Sequence, residues 1–435
     1  MKKKKLFLLF LITMLLLSTA SCKSNSSSKP DSNSKSGNTS DNTLISESTE
    51  VSGKLKGKTI TVASIYDNLI DETILNEINA ILDSKLGCQL QFKKLDTNYY
   101  NNILIAEMIA GTTDFDFIYL YDYADYLKAI KNNAIIPLDD YISFEGSTLY
   151  ELAQSATLWG GKHYGLTWSY NFGYESMLLY NKEMLEQNAL PDIFELQQKG
   201  LWTWDKFREI AYALTGDTDG DGRNDKWGIA CPHPTYFFIN LVYSNNTDFS
   251  TVGADGRFMS NIKSQGVKEA ADLFHTLLRV DKSVFTVYPT ADRANYVIDT
   301  GKAAIYTFGY IDSEIENKLH IAFYPKGPQA TDYVSLSTMS GVIAIPSGKD
   351  NVESLIEVLK TLPYFSPDYY DNLLEKMEEE MKSANKENDY ITLMNALEKH
   401  KYITYDRYAA YSYATQQIVS GIENGVMSYE DSVKF

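Results

Sequence analysis

Four aspartates with regular spacing are the most specific chemical feature of the sequence. Residues 217–228 read DTDGDGRNDKWG, which resembles an EF-hand-type calcium loop with Gly222 at its sixth position. The aspartates stand at the first, third, fifth and ninth positions: Asp217, Asp219, Asp221 and Asp225. The carbonyl of Arg223 would be the seventh-position ligand, but the twelfth position is Gly228 instead of Glu. Carboxylates this close repel one another unless a cation lies among them, so we predict structural calcium, with an exposed acidic turn as the alternative.

The composition restricts the class of function. The chain of 435 residues carries a formal net charge of −17, which argues against nucleic acid, because phosphate contacts need clustered Lys and Arg. It contains 32 Tyr and 5 Trp, and such rings suit a ligand with flat faces, although ordinary packing accounts for most of them. The sequence has no G-x-S-x-G or H-E-x-x-H motif and its five His are scattered, so common hydrolase signatures are missing.

The amino terminus is typical of an exported protein. Four lysines precede an apolar run from Leu6 to Leu17, which is too short to span a membrane and indicates a signal peptide over residues 1–21. Cys22 follows Ser-Thr-Ala-Ser and resembles the lipidated cysteine of a bacterial lipobox, although Thr19 stands where leucine is usual. Simple secretion after cleavage at Ala20 is the alternative.

A flexible tether is predicted after the signal peptide. Ten of residues 23–50 are Ser and almost none are apolar, so the segment 22–53 cannot bury enough surface to become ordered. Its typical reach is about 30 Å. With Cys22 lipidated, the protein is expected on the extracellular face of the cell membrane, attached through its lipid anchor only.

From residue 54 onward, predicted strands and helices alternate. KTITVASIYD, CQLQFKKL and FDFIYLYDY have the patterns of strands, and the isoleucines between the first two are spaced 4, 4 and 3 residues apart, on one face of a helix. Residues 371–435 have a helical pattern throughout. This alternation predicts an α/β fold with parallel strands, whose ligands bind beyond the carboxyl ends of the strands. Cys88 and Cys231 lie in apolar runs, so two free buried thiols are expected, with a disulfide as the alternative.

The order of these segments resembles the extracellular solute-binding proteins of family 1, the sugar-binding lipoproteins of bacterial ABC importers. The resemblance covers residues 54–435 and rests on FDFIYLYDYADYLKAIKNNAIIPLDDYI, GKHYGLTWSYNFGYESMLLYNKEML, LWTWDKFREIAYALT, TGKAAIYTFGY and SGVIAIPSGKDN. It implies a two-lobed α/β fold like that of type II periplasmic binding proteins, with crossing segments near 166–170, 335–341 and 395–402. The first lobe is then 54–167 plus 340–397, and the second is 170–336 plus 400–435.

The resemblance also implies a carbohydrate site in the cleft between the lobes. A pyranose offers a C–H face to aromatic rings and hydroxyls to polar side chains. Contacts are expected where strands meet loops, at the first crossing and in the last helix: Tyr66, Asp67, Tyr121, Asp122, Trp168, Tyr170, Tyr174, Tyr236, Phe237, Phe308, Tyr310 and Tyr408. Any single one of these aromatics could instead be a core residue. Tyr174 replaces an acid of the family's maltodextrin binders, which leaves the exact sugar open.

The predicted function is capture of an oligosaccharide or other carbohydrate for an ABC importer. The protein would act as a monomer, close on its ligand and deliver it to the membrane permease subunits, without a catalytic residue. The alternatives are a binder of a peptide, polyamine or ferric ion, a secreted glycoside hydrolase with two carboxylates, and a sensor that docks on a membrane receptor. Calcium in the loop at 217–225 would brace the second lobe, far from the sugar.

Overall fold

The computed structural model describes residues 54–66, 70–120, 123–167, 176–252, 258–286, 291–307, 318–337, 341–402, 412–425 and 429. Within these residues, no helix combines the length and the apolar character that a membrane span requires. The helices are α1 (Glu72–Leu86), α2 (Thr97–Tyr99), α3 (Ile105–Ala110), α4 (Tyr123–Lys131), α5 (Thr148–Ser155), α6 (Lys182–Gln187), α7 (Ile193–Gln198), α8 (Trp204–Ala213), α9 (Pro234–Ser244), α10 (Gln265–His275), α11 (Ala291–Asp299), α12 (Val352–Thr361), α13 (Pro367–Ser383), α14 (Glu387–Glu398) and α15 (Ser412–Asn424). π-Helical turns follow α2 and α10, at Tyr100–Leu104 and Thr276–Val280.

The strands alternate with these helices. They are β1 (Thr59–Ser64), β2 (Gln89–Lys94), β3 (Phe117–Leu120), β4 (Leu158–Trp159), β5 (Lys162–His163), β6 (Met177–Tyr180), β7 (Trp227–Cys231), β8 (Ser250–Val252), β9 (Phe258–Ser260), β10 (Val284–Thr286), β11 (Ala303–Tyr306), β12 (His320–Phe323), β13 (Ser335–Ser337), β14 (Val342–Ala344) and β15 (His400–Tyr402). The chain forms two compact units. The first contains the described residues of 54–167 and 341–372, and the second contains those of 176–337 and from 373 onward.

The first unit is built on a four-stranded sheet in the order β14-β3-β1-β2. β1 is parallel to β2 and β3, whereas β14 is antiparallel to β3. α1 begins where Asp71 accepts a hydrogen bond from the N–H of Thr73 and ends at Gly87, whose φ of +68° suits glycine. Of the four predicted isoleucines, Ile74 and Ile78 are buried, Ile81 is partly buried, and Ile70 precedes the helix, so the predicted apolar face is confirmed for its central residues.

The second unit is built on a five-stranded sheet in the order β10-β7-β11-β6-β12. β7 is parallel to both β10 and β11, and β6 is antiparallel to β11 and β12. Its core contains many aromatic side chains. Trp202 is fully buried, donates its indole N–H to the Phe323 carbonyl oxygen at 2.8 Å and meets the Phe207 ring edge-on at 5.7 Å between centroids.

The boundary between the units differs from the predicted one along residues 373–397. These residues were assigned to the first lobe, but the structure places them in the second unit. Lys386 donates to the Leu319 carbonyl oxygen at 2.8 Å, and the N–H of Ile321 donates to Asp389 at 3.1 Å, so α14 is fastened to β12. The chain therefore passes between the units within α13 and not at 395–402, where β15 pairs with β13 of the second unit.

Both thiols of the described residues are free. Cys88 lies in the first unit and Cys231 in the second, and each is buried. Burial raises the pKa of the Cys231 thiol to about 12, so it stays protonated and inert. The expectation of two free buried thiols is confirmed.

Candidate functional site

In the first unit, three predicted site segments begin at the same edge of the sheet, the edge formed by the carboxyl ends of its parallel strands. The parallel neighbours β1 and β3 end at the same edge, and β1 leads to Tyr66. At this edge Val342 of β14 lies opposite Leu120, the last residue of β3. The next residue of β14, Ile343, exchanges two backbone hydrogen bonds with Leu166, at 2.9 and 2.8 Å. Residues 121 and 168 therefore follow chain segments that pair with the same strand, β14, at the end of the sheet where ligands of parallel sheets bind.

Tyr66 is the one predicted contact of the first unit that lies within the described residues. Its side chain is 39% exposed, and its N–H donates to the Ser64 hydroxyl at 3.0 Å, which turns the chain just after β1. It lines a groove of about 590 Å³ together with residues of α1 and β2. The side chains of Phe92 and Gln91 line the same groove. An exposed phenol at the carboxyl end of a strand can stack on a ligand and also offer a hydrogen bond.

In the second unit, Tyr236 lies at the corresponding edge. β7 and β11 are parallel and both end there, and α9 starts three residues after β7, with Pro234 in its first turn. Tyr236 is half-buried, and its ring meets that of His233 edge-on with centroids 6.1 Å apart. Burial lowers the pKa of His233, so its ring is neutral at physiological pH and can either donate or accept a hydrogen bond.

Phe237 does not face this edge. It is fully buried, and its ring packs against those of Phe207, Phe274 and Tyr324, with centroids 6.2, 5.8 and 6.2 Å apart. Its predicted role as a ligand contact is therefore corrected to that of a core residue. The burial of Phe237 could have been predicted from the sequence, because α9 reads PTYFFINLVYS and is apolar on nearly every side, as expected of a buried helix.

The other predicted contacts lie outside the described residues and stay predictions. They are Asp67, Tyr121, Asp122, Trp168, Tyr170, Tyr174, Phe308, Tyr310 and Tyr408, and the same holds for Cys22.

The two chain segments between the units start side by side and end side by side. Residues 168–175 and 338–340 connect the described parts of the units. On the first unit their neighbours Leu166 and Ile343 are paired, as described above. On the second unit the Ser176 hydroxyl donates to the Leu336 carbonyl oxygen at 2.9 Å and accepts from the Leu336 N–H at 2.7 Å. This Ser176 contact could not be predicted from the sequence, because an isolated serine before an apolar strand does not indicate its partner.

Three of the four loop aspartates come together in the second unit. One carboxylate oxygen from each of Asp217, Asp219 and Asp221 lies within 4.8 Å of the others. Asp217 accepts from the N–H of Gly222 at 2.7 Å and of Gly220 at 2.6 Å, and these bonds hold the pKa of its carboxyl below the usual value. Three carboxylates at this spacing fit the hard-oxygen environment that Ca²⁺ prefers.

Asp225, the ninth-position aspartate, bonds across the base of the loop and stays a predicted ligand. Its Oδ1 accepts from the Thr218 N–H at 2.9 Å, and its Oδ2 accepts from the Thr218 hydroxyl. These two bonds lower the pKa of the carboxyl and close the loop across its base, while the described cluster comprises the first three aspartates. The N–H of Arg223 donates to Asp221 at 2.8 Å, and its carbonyl remains a predicted ligand. Asn224 anchors the loop by donating to the Lys282 carbonyl oxygen at 3.2 Å.

Comparisons with known proteins place the chain in a family. Residues 79–355 match the sequence profile of bacterial extracellular solute-binding proteins. The maltose/maltodextrin-binding domain of Bdellovibrio bacteriovorus bound to maltotriose is 17% identical, with a TM-score of 0.55 over 86% of this chain and 96% of that one. An ABC substrate-binding protein of Listeria monocytogenes in complex with cycloalternan is 16% identical, with a TM-score of 0.56 over 87% and 96%. A solute-binding protein of Agrobacterium vitis with bound D-mannitol is 14% identical, with a TM-score of 0.53 over 87% and 96%. These structural matches confirm the predicted two-lobed α/β fold.

Proposed function

Because the chain belongs to the bacterial extracellular solute-binding protein family, we propose that it is the lipid-anchored binding component of an ABC importer for a carbohydrate, with an oligosaccharide as the first candidate. The observation that carries the proposal is the meeting of β1, β3 and Leu166 at one sheet edge, directly before aromatic and acidic side chains. The similar solved structures hold maltotriose, cycloalternan and D-mannitol, all hydroxyl-rich ligands.

The proposed binding chemistry uses each class of side chain differently. Phenol and indole rings, such as those of Tyr66 and Trp168, would cover the C–H faces of the sugar, while Asp67 and Asp122 would accept hydrogen bonds from its hydroxyls. Tyr236 would contribute both a ring face and a hydroxyl from the second lobe. Closure of the lobes around the ligand would exclude water and strengthen each polar contact.

Delivery of the ligand would require the lobes to open again and would not require a catalytic step. The segments 168–175 and 338–340 are proposed as the hinge, because the described residues on either side of them are bonded to each other within each unit. We infer that the open form releases its ligand unaltered to permease subunits in the membrane, and that a lipid on Cys22 keeps the protein near them. A hydrolase would instead return shortened glycans, so the state of the recovered ligand separates these two functions.

The first experiment is a thermal-shift screen of the full chain in detergent against monosaccharides, oligosaccharides and polyols. A ligand at 100 times its dissociation constant adds about 2.7 kcal/mol. For a folded body of roughly 380 residues, with an unfolding entropy of about 0.8 kcal/mol/K, this raises the melting temperature by about 3 °C. Trp168→Ala should remove the shift, whereas Trp159→Ala, at a partly exposed tryptophan in β4, should keep it. A panel without any shift would refute the carbohydrate proposal.

We also propose that the loop binds calcium at the cluster of Asp217, Asp219 and Asp221, with Asp225 and the Arg223 carbonyl as further predicted ligands, and that the ion braces the second unit. Calcium would screen the repulsion among the three carboxylates and join both arms of the loop. Adding calcium to chelator-treated protein should then raise the melting temperature, with or without sugar. Asp219→Asn should abolish that rise, whereas Asp140→Asn, at an exposed acid of the first unit, should not. Equal responses of the two variants would contradict the proposal.

A further inference from the structure

The two outer strands of the first unit's sheet, β14 and β2, have different surroundings. The β14 edge is covered by the unit's own chain, because Leu166 pairs with Ile343 and the N–H of Ile136 donates to the Ile345 carbonyl oxygen at 3.1 Å. At the other edge lies β2, whose strand neighbour among the described residues is β1. An edge strand offers a row of backbone donors and acceptors on which a strand of another chain can pair.

The side chain of Asn79 occupies part of this edge. Its Oδ1 accepts from the Leu90 N–H at 2.6 Å, and its Nδ2 donates to the Leu90 carbonyl oxygen at 3.2 Å. The N–H of Gln89 donates to the Lys58 carbonyl oxygen beside β1, and successive residues of a strand direct their backbone groups to opposite sides. The Leu90 groups therefore point outward, and one amide side chain satisfies both of them, as the backbone of a neighbouring strand would.

The position of this asparagine in α1 is not explained by the helix itself. Asn has a low helix propensity, and Asn79 lies in the middle of the helix, where its amide makes no capping bond. A residue that opposes its local structure in this way commonly has a specific role in the fold or its interactions.

Asn79 covers the half of β2 that has no charged side chain to oppose pairing with another strand. β2 reads QLQFKK, so its carboxyl half carries Lys93 and Lys94, and edge lysines disfavour pairing because of their charge and hydration. The amino half has no charge, and the side chains of Gln89 and Gln91 are exposed. The groove of about 590 Å³ along α1 and β2 leaves room beside this half for another segment of chain.

We propose that Asn79 seals the outer edge of β2 and thereby prevents a second copy of this chain from adding its own β2 strand there. A second copy is the relevant partner because it carries the same uncharged QLQF segment and because two such strands can pair around a two-fold axis. The seal would matter most for a protein that is concentrated on a membrane surface.

The test compares Asn79→Ala with Asn76→Ala in the full chain in detergent. Asn76 is exposed on the same helix and controls for loss of an asparagine. Hydrogen exchange at the Leu90 amide should become about fivefold faster in Asn79→Ala at low protein concentration, because one hydrogen bond is lost. Sedimentation velocity should show dimers of this variant that increase with concentration and that protect the Leu90 amide again. Asn76→Ala should behave like the parent protein.

A rescue variant separates strand pairing from simple destabilisation. Adding Gln91→Lys to Asn79→Ala places a charge on the unprotected half of the edge and should restore the monomer. Asn79→Leu removes the amide but is a strong helix former, so it keeps the test available if the alanine variant does not fold. The proposal is overturned if both Asn79 variants stay monomeric with fast Leu90 exchange, or if they associate and the added lysine changes nothing. It is equally overturned if the parent protein already dimerises through β2.

Discussion

Gly165 lies at a point where one added methyl group should disturb the predicted ligand edge. Its φ is +151°, a conformation that other residues rarely adopt. A Cβ at this position would lie 2.4 Å from Cγ1 of Val342 and 2.5 Å from the carbonyl oxygen of Ile343. The valine methyl can rotate away, but that carbonyl oxygen accepts the 2.9 Å hydrogen bond from Leu166. Gly165→Ala must therefore displace β14 or break its pairing with Leu166.

The expected loss follows from two contributions. Forcing alanine into this backbone region costs about 1–3 kcal/mol. Breaking the two hydrogen bonds between Leu166 and Ile343 costs about 2 kcal/mol more. We therefore expect Gly165→Ala to lower the stability of the first unit by about 3–5 kcal/mol. The matched control is Gly160→Ala, because Gly160 also has a positive φ, +57°, but has no atom within 4 Å of the added Cβ. It should cost about 1–2 kcal/mol.

Native-state hydrogen exchange of the full chain, read at the peptides that contain β3 and β14, measures both losses within the first unit. Carbohydrate affinity should fall with Gly165→Ala, because Leu166 leads directly into residues 168–175, and should persist with Gly160→Ala. If the two alanine variants lose the same stability, the argument from close contact with Ile343 is refuted.

Three further substitutions test other contacts. Burial raises the pKa of the Asp139 carboxyl, but its hydrogen bonds with the ring and N–H of His163 outweigh this and leave the pKa below its ordinary value of 3.8. Asp139 thus contributes stability above its unfolded pKa that is lost as the pH falls through the folded pKa, and Asp139→Asn should flatten the acid limb of a melting-temperature profile. Lys386→Met should cost about 3 kcal/mol in chemical denaturation, because Asp389 is only 2% exposed and loses a cation 3.9 Å away, and adding Asp389→Asn should recover much of it. Trp202→Phe should cost about 2–4 kcal/mol by calorimetry, because it leaves a gap and an unpaired buried carbonyl oxygen.

Much of the fold could be predicted because its signals are local. The isoleucine spacing of α1 reflects its buried face, the alternation in β1 matches burial over its first four residues, and both elements are present in the structure. The segment 371–435, in contrast, was predicted to be helical, and the strand β15 within it was missed. A three-residue strand reading HKY has no recognisable periodicity, and it exists because β13, far away in the sequence, pairs with it.

The candidate site was predicted less completely for a related reason. The rule that ligands bind beyond the ends of strands selects positions in the chain, but it does not decide which way a side chain turns. Tyr236 and Phe237 are adjacent, and only the second is fully buried in the core. Spacing predicted Asp225 as a calcium ligand, but it could not show that Thr218 donates hydrogen bonds to both of its carboxylate oxygens, because the loop pattern does not specify residue 218.

The paired ends of the connecting segments constrain how the proposed closure can occur. The bonds between Leu166 and Ile343 fix the two segments to each other on the first unit, and those between Ser176 and Leu336 do so on the second. Since each pair is part of its own unit, the proposed hinge motion would leave both pairs intact and would be absorbed by residues 168–175 and 338–340 and by the passage through α13. Trp168, Tyr170 and Tyr174 lie in the first of these segments. The same residues would then both bind the carbohydrate and bend on closure, so a ligand held by their rings would stabilise the closed form directly.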